Sequence, residues 1–378
     1  MIRSFTICLF FGLLLFSCKG EKQQESAPEG TEVSIKYAKG FRITRFDGYT
    51  LVEVRTPWPD AKKGITYLLT EKGADVPENL DYDLKINVPI QSLVVTSTTH
   101  IPSLEALGVE DRLTGFPSTK YISSEKTRKN VDEGRVKELG NNESINTEML
   151  LDLQPDVVIG FALDTNNKAY ETIKNSGIPV VFNADWVEET PLGKAEWIKF
   201  FAPFFDKQAE ADRIFTHIES EYSRARALTQ DIKERPVVLS GAMHKAVWIL
   251  PGGKSWAAQF IKDAGGSYPW ADTEDTGSLF LSMESVLDKA APADFWISPT
   301  LFDSYTALEK ANPHYTQFKP FQNKTIYTYS KTKGDGIGML YFELGPNRPD
   351  IILKDLIRIF HPDKLPDYEP FFFKPLNP

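Results

Sequence analysis

Beyond residue 32 the chain first alternates apolar and polar positions. Ile35, Tyr37, Phe41, Ile43, Leu51, Val52, Val54 and Tyr67 recur at near-strand spacing, and Asp47-Gly48 supplies a hairpin turn. This predicts strands across 33–72, broken at Pro57-Trp58-Pro59, as a small antiparallel cap without chemistry of its own. From residue 88 the period changes. Apolar runs at 90–96, 113–116, 157–161 and 179–183 predict strands, and helical patterns at 101–107, 148–153 and 168–176 fall between them. Gly108 suits a helix C-terminus, and Asn146 or Thr147 suits a helix cap. Such alternation implies an α/β fold with a mostly parallel sheet covered by helices.

A long helix follows over 207–233. Ile214, Phe215, Ile218, Tyr222, Ala225, Leu228 and Ile232 fall three and four apart, and Pro236 closes the run. At 1.5 Å per residue it would be roughly 40 Å long, the height of a small domain. Strands are then expected at 237–240, 246–250, 295–298 and 325–329. Helices are expected at 256–264, closed by Gly265-Gly266, and at 284–290 and 351–360, before a Pro-rich tail. Two stretches read alike. Glu148 to Asp156 and Glu284 to Asp294 each run from a glutamate-led short helix through a Pro-bearing turn to an Asp and a buried strand. The repetition predicts two similar lobes on either side of a spine helix. The expected organisation is a leader (1–17), a tether (18–32), a β-rich segment (33–87), an N-terminal lobe (88–205), the spine (206–235) and a C-terminal lobe (236–378).

The leader has Arg3 ahead of an apolar run at 5–16, too short for a permanent membrane span of roughly 20 residues. It ends in Ser17-Cys18, the form of a bacterial lipoprotein signal, which predicts cleavage before Cys18 and its lipidation. The other cysteine, Cys8, lies inside the leader, so the mature chain would have no disulfide and no Cys-based zinc site. Residues 19–32 are polar, with Pro and Gly, and read as a disordered tether. The formal net charge is -9, and no dense basic cluster marks a nucleic-acid partner.

The chain holds no nucleophile elbow, phosphate-binding loop, His-Glu-x-x-His or dinucleotide fingerprint, and it reads as non-enzymatic with no intrinsic cofactor. Gly334-Asp335-Gly336-Ile337-Gly338 reads as a flexible loop. In parallel sheets, ligands bind beyond the carboxyl ends of the strands. In the first half those ends bring Thr98, His100, Phe116, Tyr121, Phe161, Asp185 and Trp186. In the second half they bring Met243, His244, Trp248 and Phe302. Aromatics with a few polar groups suit a large, partly apolar ligand held between lobes. His100 and His244 fit either a metal or haem ligand or a hydrogen-bonded loop histidine.

Asn146-Thr147-Glu148-Met-Leu-Leu-Asp-Leu-Gln-Pro-Asp-Val-Val-Ile resembles a signature of ABC-transporter substrate-binding proteins for iron-siderophores, haem and cobalamin. Ser282-Met283-Glu284, Ala264-Gly265-Gly266 and the closing stretch from Arg348 to Leu356 resemble the matching pieces of that family's second lobe. The resemblance covers roughly 88–362, and the segment 33–72 lies outside it. It implies two lobes on a rigid helix, capture of a ferric chelate or cobalamin, and delivery to an ABC permease dimer on which Glu148 and Glu284 would dock. The expected protein is then a monomer, tethered to lipid through Cys18 on the periplasmic side of a bacterial membrane. A haem-binding surface lipoprotein without a permease, and an enzyme or cofactor-assembly protein on the same fold, are the alternatives.

Overall fold

The computed structural model describes residues 30–378 except 165–166, 300–301 and 333–335. The leader, Cys18 and residues 19–29 of the tether lie outside the described residues. The molecule is α/β, with two lobes built on mostly parallel sheets, one long helix joining them, and an additional β-sheet at the N-terminal side.

In the N-terminal lobe five strands stand in the order Val180–Phe182, Val157–Gly160, Leu93–Val95, Leu113–Phe116, Lys137–Glu138, all parallel. Side chains alternate across this sheet, as the two-residue period of a strand requires. Leu93, Val95, Val157, Ile159 and Val181 enter the core that faces the spine. Val94, Val158, Val180 and Phe182 enter a second core under the helices Thr147–Leu153 and Lys168–Asn175. Burial on both faces explains why these strands read as continuous apolar runs.

The C-terminal lobe has a four-stranded sheet in the order Val238–Ser240, Phe295–Ile297, Ile326–Thr328, Lys374–Pro375, the first three parallel and the last antiparallel. Here the expected alternation fails in one place. Ala242–His244 and Val247–Pro251 form a hairpin that pairs with Ser278–Leu281 in a separate antiparallel sheet. The expected tail is also structured. The buried Asp355 carboxylate accepts the N–H groups of Phe371, Phe372 and Phe373 and the Tyr368 hydroxyl, which seats residues 368–376 against the lobe.

The two similar stretches of sequence fold alike. In one, the Asp156 carboxylate accepts from the N–H groups of Gln91 and Ser92 at 2.7 and 2.9 Å, and its own N–H donates to Ser92 O. In the other, the Asp294 carboxylate accepts from Val237 N–H at 2.9 Å, and its N–H donates to Val237 O. Each aspartate stands one residue before a central strand, and each ties down the residue before the neighbouring parallel strand. The parallel registers Val157 to Leu93 and Phe295 to Val238 start at these clamps. Partial burial pushes the Asp294 carboxyl up, but the Lys319 ammonium and the Val237 N–H outweigh it and hold it below the usual carboxylate range.

The spine helix is Gln208–Ala227, shorter than the 207–233 pattern predicts. Ala211, Phe215, Ile218, Tyr222 and Ala225 form its buried stripe. It stops where the Thr229 hydroxyl donates to Asp263 O, turning the chain onto the end of helix Trp256–Asp263. The final helix, Pro349–Phe360, packs along the spine.

The N-terminal sheet pairs Thr31–Glu32, Phe41–Arg45, Tyr49–Val54 and Ile65–Glu71 antiparallel, then Leu84–Val88 parallel to the last of these. Two carboxylates fix it. Glu196, fully buried, accepts the N–H groups of Lys36, Tyr37 and Ala38. Glu188 accepts those of Lys39 and Gly40 and the Trp197 indole N–H. Charge-assisted bonds of this kind satisfy carboxylates that would otherwise be costly to bury.

Asp156→Ala and Asp294→Ala are each expected to lower the unfolding free energy by about 1–2 kcal/mol, since each leaves strand-leading N–H groups without a partner. The sites lie in different lobes, so the double variant should lose the sum. Chemical denaturation followed by Trp fluorescence checks this. A double variant no less stable than the weaker single one would show that the clamps are not independent.

Candidate functional site

The carboxyl ends of the two parallel sheets open into two cavities. The N-lobe chamber, about 730 Å³, takes Thr96 to Thr98 from beyond one strand, Phe116 from the end of the next with Pro117, Ser118, Lys120 and Tyr121 after it, and Phe161 from beyond a third. Asn141, Asn142 and Glu143 form one rim. Residues 337–342 of the C-terminal lobe close its other side through Ile337, Met339 and Phe342. The C-lobe chamber, about 550 Å³, lies beyond Ser240, Ser298 and Tyr329, with Trp186, Glu188 and Lys194 contributed by the N-terminal lobe. Both volumes fall in the range of small-molecule sites. Phe342, half exposed, lines both chambers, so they form one cleft with an aromatic wall between them.

That wall belongs to a strap of the C-terminal lobe pinned across the cleft. The Glu343 carboxylate accepts Ser123 N–H at 2.7 Å and Ser124 N–H at 2.9 Å. The Asn347 side chain donates to Thr99 O and accepts from the Ser103 hydroxyl. Ile337 N–H donates to Lys120 O at 3.1 Å. Two glycines let this backbone approach. A Cβ on Gly336 would meet Lys120 O at 2.5 Å, and one on Gly338 would collide with Tyr121 O. The expected flexible loop is therefore, over 336–338, a close inter-lobe contact, while 333–335 lie outside the described residues. Tyr329 and Tyr341 stack at 4.8 Å, and Phe342 meets Tyr329 edge-on at 5.1 Å. Burial pushes the Glu343 carboxyl up to about 7, against the two N–H bonds that favour its charge, and nearby Glu105 adds to the rise.

The cleft gathers five of the expected site residues. Thr98, Phe116, Tyr121 and Phe161 line the N-lobe chamber and Trp186 the C-lobe chamber. Tyr121 and Trp186 are 47% and 37% exposed, so each leaves ring surface open to the cleft. The other expected contacts lie elsewhere. His100 is fully buried against Phe201, and neither ring nitrogen has a hydrogen-bond partner. Its burial pushes the imidazole pKa down, with the Asp185 charge opposing. Asp185 is itself buried at the start of a short turn. Trp248 is enclosed by Trp296, Tyr315 and Phe318, and its indole N–H donates to Ser240 O. It supports the floor of the C-lobe chamber from below and does not face it. Met243 and His244 sit on the hairpin strand, with Met243 N–H bonded to the Tyr315 hydroxyl and His244 exposed. Phe302 rests against Tyr315, 6.4 Å between ring centres. Met243 and His244 are expected in a loop beyond strand 237–240 and Trp248 at the end of a strand at 246–250; the antiparallel hairpin takes in all three, and Phe302 packs on the core after strand Phe295–Ile297.

Sequence reasoning missed the strap and the Asn141–Glu143 rim. A usable signal was present in Met339-Leu-Tyr-Phe342, an aromatic cluster directly after glycines. Among the described residues no group of three or more His, Cys, Asp or Glu is placed to hold a metal ion.

Glu148 and Glu284 occupy matching positions. Each is the second residue of a short helix, Thr147–Leu153 or Met283–Ala290. In each helix the capping side chain, Asn146 or Ser282, accepts the N–H of the residue after the glutamate. Both glutamates are exposed.

A family model described as periplasmic binding protein matches residues 93–332, more than half of the chain. The chain belongs to the periplasmic binding protein family. An uncharacterized lipoprotein of Methanocaldococcus jannaschii is 28% identical over 368 residues, 91% of this chain and 85% of that protein. The vitamin B12-binding protein of Vibrio parahaemolyticus is 21% identical over 50% of this chain and 64% of its own length. Among solved structures, a periplasmic heme-binding protein of Pseudomonas aeruginosa superposes with a TM-score of 0.58 at 16% identity, covering 76% of this chain and 99% of that one. A periplasmic heme-binding protein of Roseiflexus does so at 0.57 and 21%, covering 72% and 99%. These likenesses establish the two-lobed, helix-linked fold of periplasmic binding proteins. The N-terminal sheet lies ahead of the matched stretch.

Two variants test the strap of this periplasmic binding protein. A carboxyl whose pKa rises from 4.5 to about 7 on folding binds its proton more tightly in the native state, so stability should fall as pH rises through that window. Glu343→Gln should remove up to roughly 3 kcal/mol of that fall, seen as the difference between wild-type and variant unfolding curves at pH 5 and pH 8. Identical pH dependence in both proteins would contradict the raised value. Gly338→Ala should free the strap, raising hydrogen exchange at the Ile337 amide by about tenfold or more with the sheet amides unchanged. Unaltered exchange at Ile337 would show that the contact does not depend on the glycine.

Proposed function

We propose that this protein is the lipid-anchored substrate-binding component of an ABC importer, holding a metal chelate between its lobes and delivering it to a permease. The observation that carries the reading is the pair of exposed glutamates at equivalent helix positions, one per lobe, outside a cleft built from the carboxyl ends of both sheets. One acidic foot on each lobe suits docking on a two-fold partner with basic sockets. A first-turn carboxylate is also favoured by the helix dipole, worth under about 1 kcal/mol, and that role is compatible with docking. The spine and the strap limit the lobes to small relative motions, so release falls to the partner rather than to wide opening.

The chemistry of the cleft supports a chelate as the cargo. No group of three or more His, Cys, Asp or Glu among the described residues is placed to hold a bare ion, which suits a metal that arrives with its coordination supplied by the ligand. The exposed Tyr121, Trp186 and Phe342 offer faces for an extended ligand body. Anchoring through Cys18 is supported by the form of the leader and by the relative named as a lipoprotein. A periplasmic-side location follows from the same reading.

Reversing both charges, Glu148→Lys with Glu284→Lys, is expected to abolish stimulation of the permease ATPase while leaving chelate affinity within about twofold, since neither residue lines the cleft. Transport that survives the double reversal would overturn the docking assignment.

A further inference from the structure

We infer that the cleft selects a metal chelate of zero or positive net charge that carries N–H donors, an amide-bearing corrinoid or a cationic ferric trihydroxamate, and discriminates against polyanionic chelates. This rests on the importer reading above and narrows its cargo.

The first observation is the charge available to a ligand. In the C-lobe chamber the lysine is already committed. Lys194 is buried, and its ammonium donates to Asp185 O and Trp186 O. Glu188, beside it, is taken up by the N–H groups of Lys39 and Gly40 and by Trp197. Glu189 on the same wall is half exposed and ion-paired with Lys39 at 3.8 Å. In the N-lobe chamber the described cation is Lys120, lying over the Tyr121 ring, and Glu143 opposes it on the rim. Among the described residues lining the two chambers, a polyanion would meet the Lys120 ammonium and face the exposed Glu143 carboxylate, with Lys168 in the adjoining groove. Charge desolvated without a partner is the costliest mismatch a site can present. A neutral chelate avoids that cost, and a cationic one gains from Glu143.

The second observation is the polar lining. The groups that remain are neutral: Ser97, Thr98, Ser118, Asn141 and Asn142 in one chamber, Ser240 and Ser298 in the other. The Asn142 Oδ1 is buried and has no hydrogen-bond partner. It lines the N-lobe chamber and the groove beside it, so an N–H donor from a ligand would satisfy it. Peripheral amides provide such donors. Carboxylates and catecholates do not.

The test is titration of the purified protein, followed by Trp fluorescence and calorimetry at about 0.15 M salt, with four probes. These are cyanocobalamin, a monocationic ferric trihydroxamate, haem and a trianionic ferric tricatecholate. We expect cyanocobalamin or the trihydroxamate to bind at least about tenfold more tightly than either polyanion, and Asn142→Ala to weaken that probe by a further several-fold without weakening haem in proportion. Tightest binding of haem or the tricatecholate, or equal affinity across the panel, would overturn this inference and leave the importer reading standing. Binding of none of the four would overturn the chelate reading itself, and this inference with it.

Discussion

Parallel strands have no hairpin to set their register, so something else must fix where neighbours begin. In this protein a carboxylate does so in each lobe. Asp156 and Asp294 stand immediately before a central strand, and each holds the N–H of the residue just before the adjacent strand. Everything functional is placed by that alignment. The strands that start level at one end also finish level at the other, where Thr96, Phe161, Ser240 and Ser298 emerge into the cleft. The same clamp fixes the helix that precedes each aspartate, and with it Glu148 and Glu284. One repeated local motif therefore sets both the mouth of the cleft and the two exposed carboxylates outside it.

The relation between the lobes is fixed twice. Behind the cleft, the spine helix packs along Pro349–Phe360, which carries the C-terminal lobe. In front, Glu343 and Asn347 of the strap bond the turns that follow the N-lobe strands. The two supports differ in kind. The first is apolar and continuous, the second a few polar bonds across a junction where burial pushes the Glu343 carboxyl up to about 7. Rearrangement of the cleft is easier at the second.

Much of this was legible in the sequence, for physical reasons that are local. The strand and helix runs of the N-terminal lobe, the spine stripe from Ala211 to Ala225 and the paired glutamates all follow from short-range periodicity and caps. Thr98, Phe116, Tyr121, Phe161 and Trp186 reach the cleft because they follow strands whose type was read correctly. Trp248, Met243 and His244 did not, because the loop expected after strand 237–240 folds as one arm of a hairpin, and an apolar run of five residues does not reveal whether its partner is parallel or antiparallel. The strap was hidden for another reason. Its role depends on contacts between residues more than two hundred positions apart, such as Ser123 with Glu343, and on glycines whose neighbours are distant in the chain. The C-terminal residues looked like a tail because their partner, Asp355, sits in a helix that otherwise reads as an ordinary amphipathic one.

The clasp around residues 36–40 has a mechanical meaning. Five consecutive backbone N–H groups are gripped by the Glu196 and Glu188 carboxylates. Lys36 and Tyr37 also reach Glu219 on the spine helix. Tension applied to the chain upstream of residue 30 is thus met at this clasp and passed through Glu196 and Glu219 toward the spine, and through Glu188 to the wall of the C-lobe chamber. Residues 36–40 are therefore mechanically joined both to the spine and, at Glu188, to one wall of the cleft.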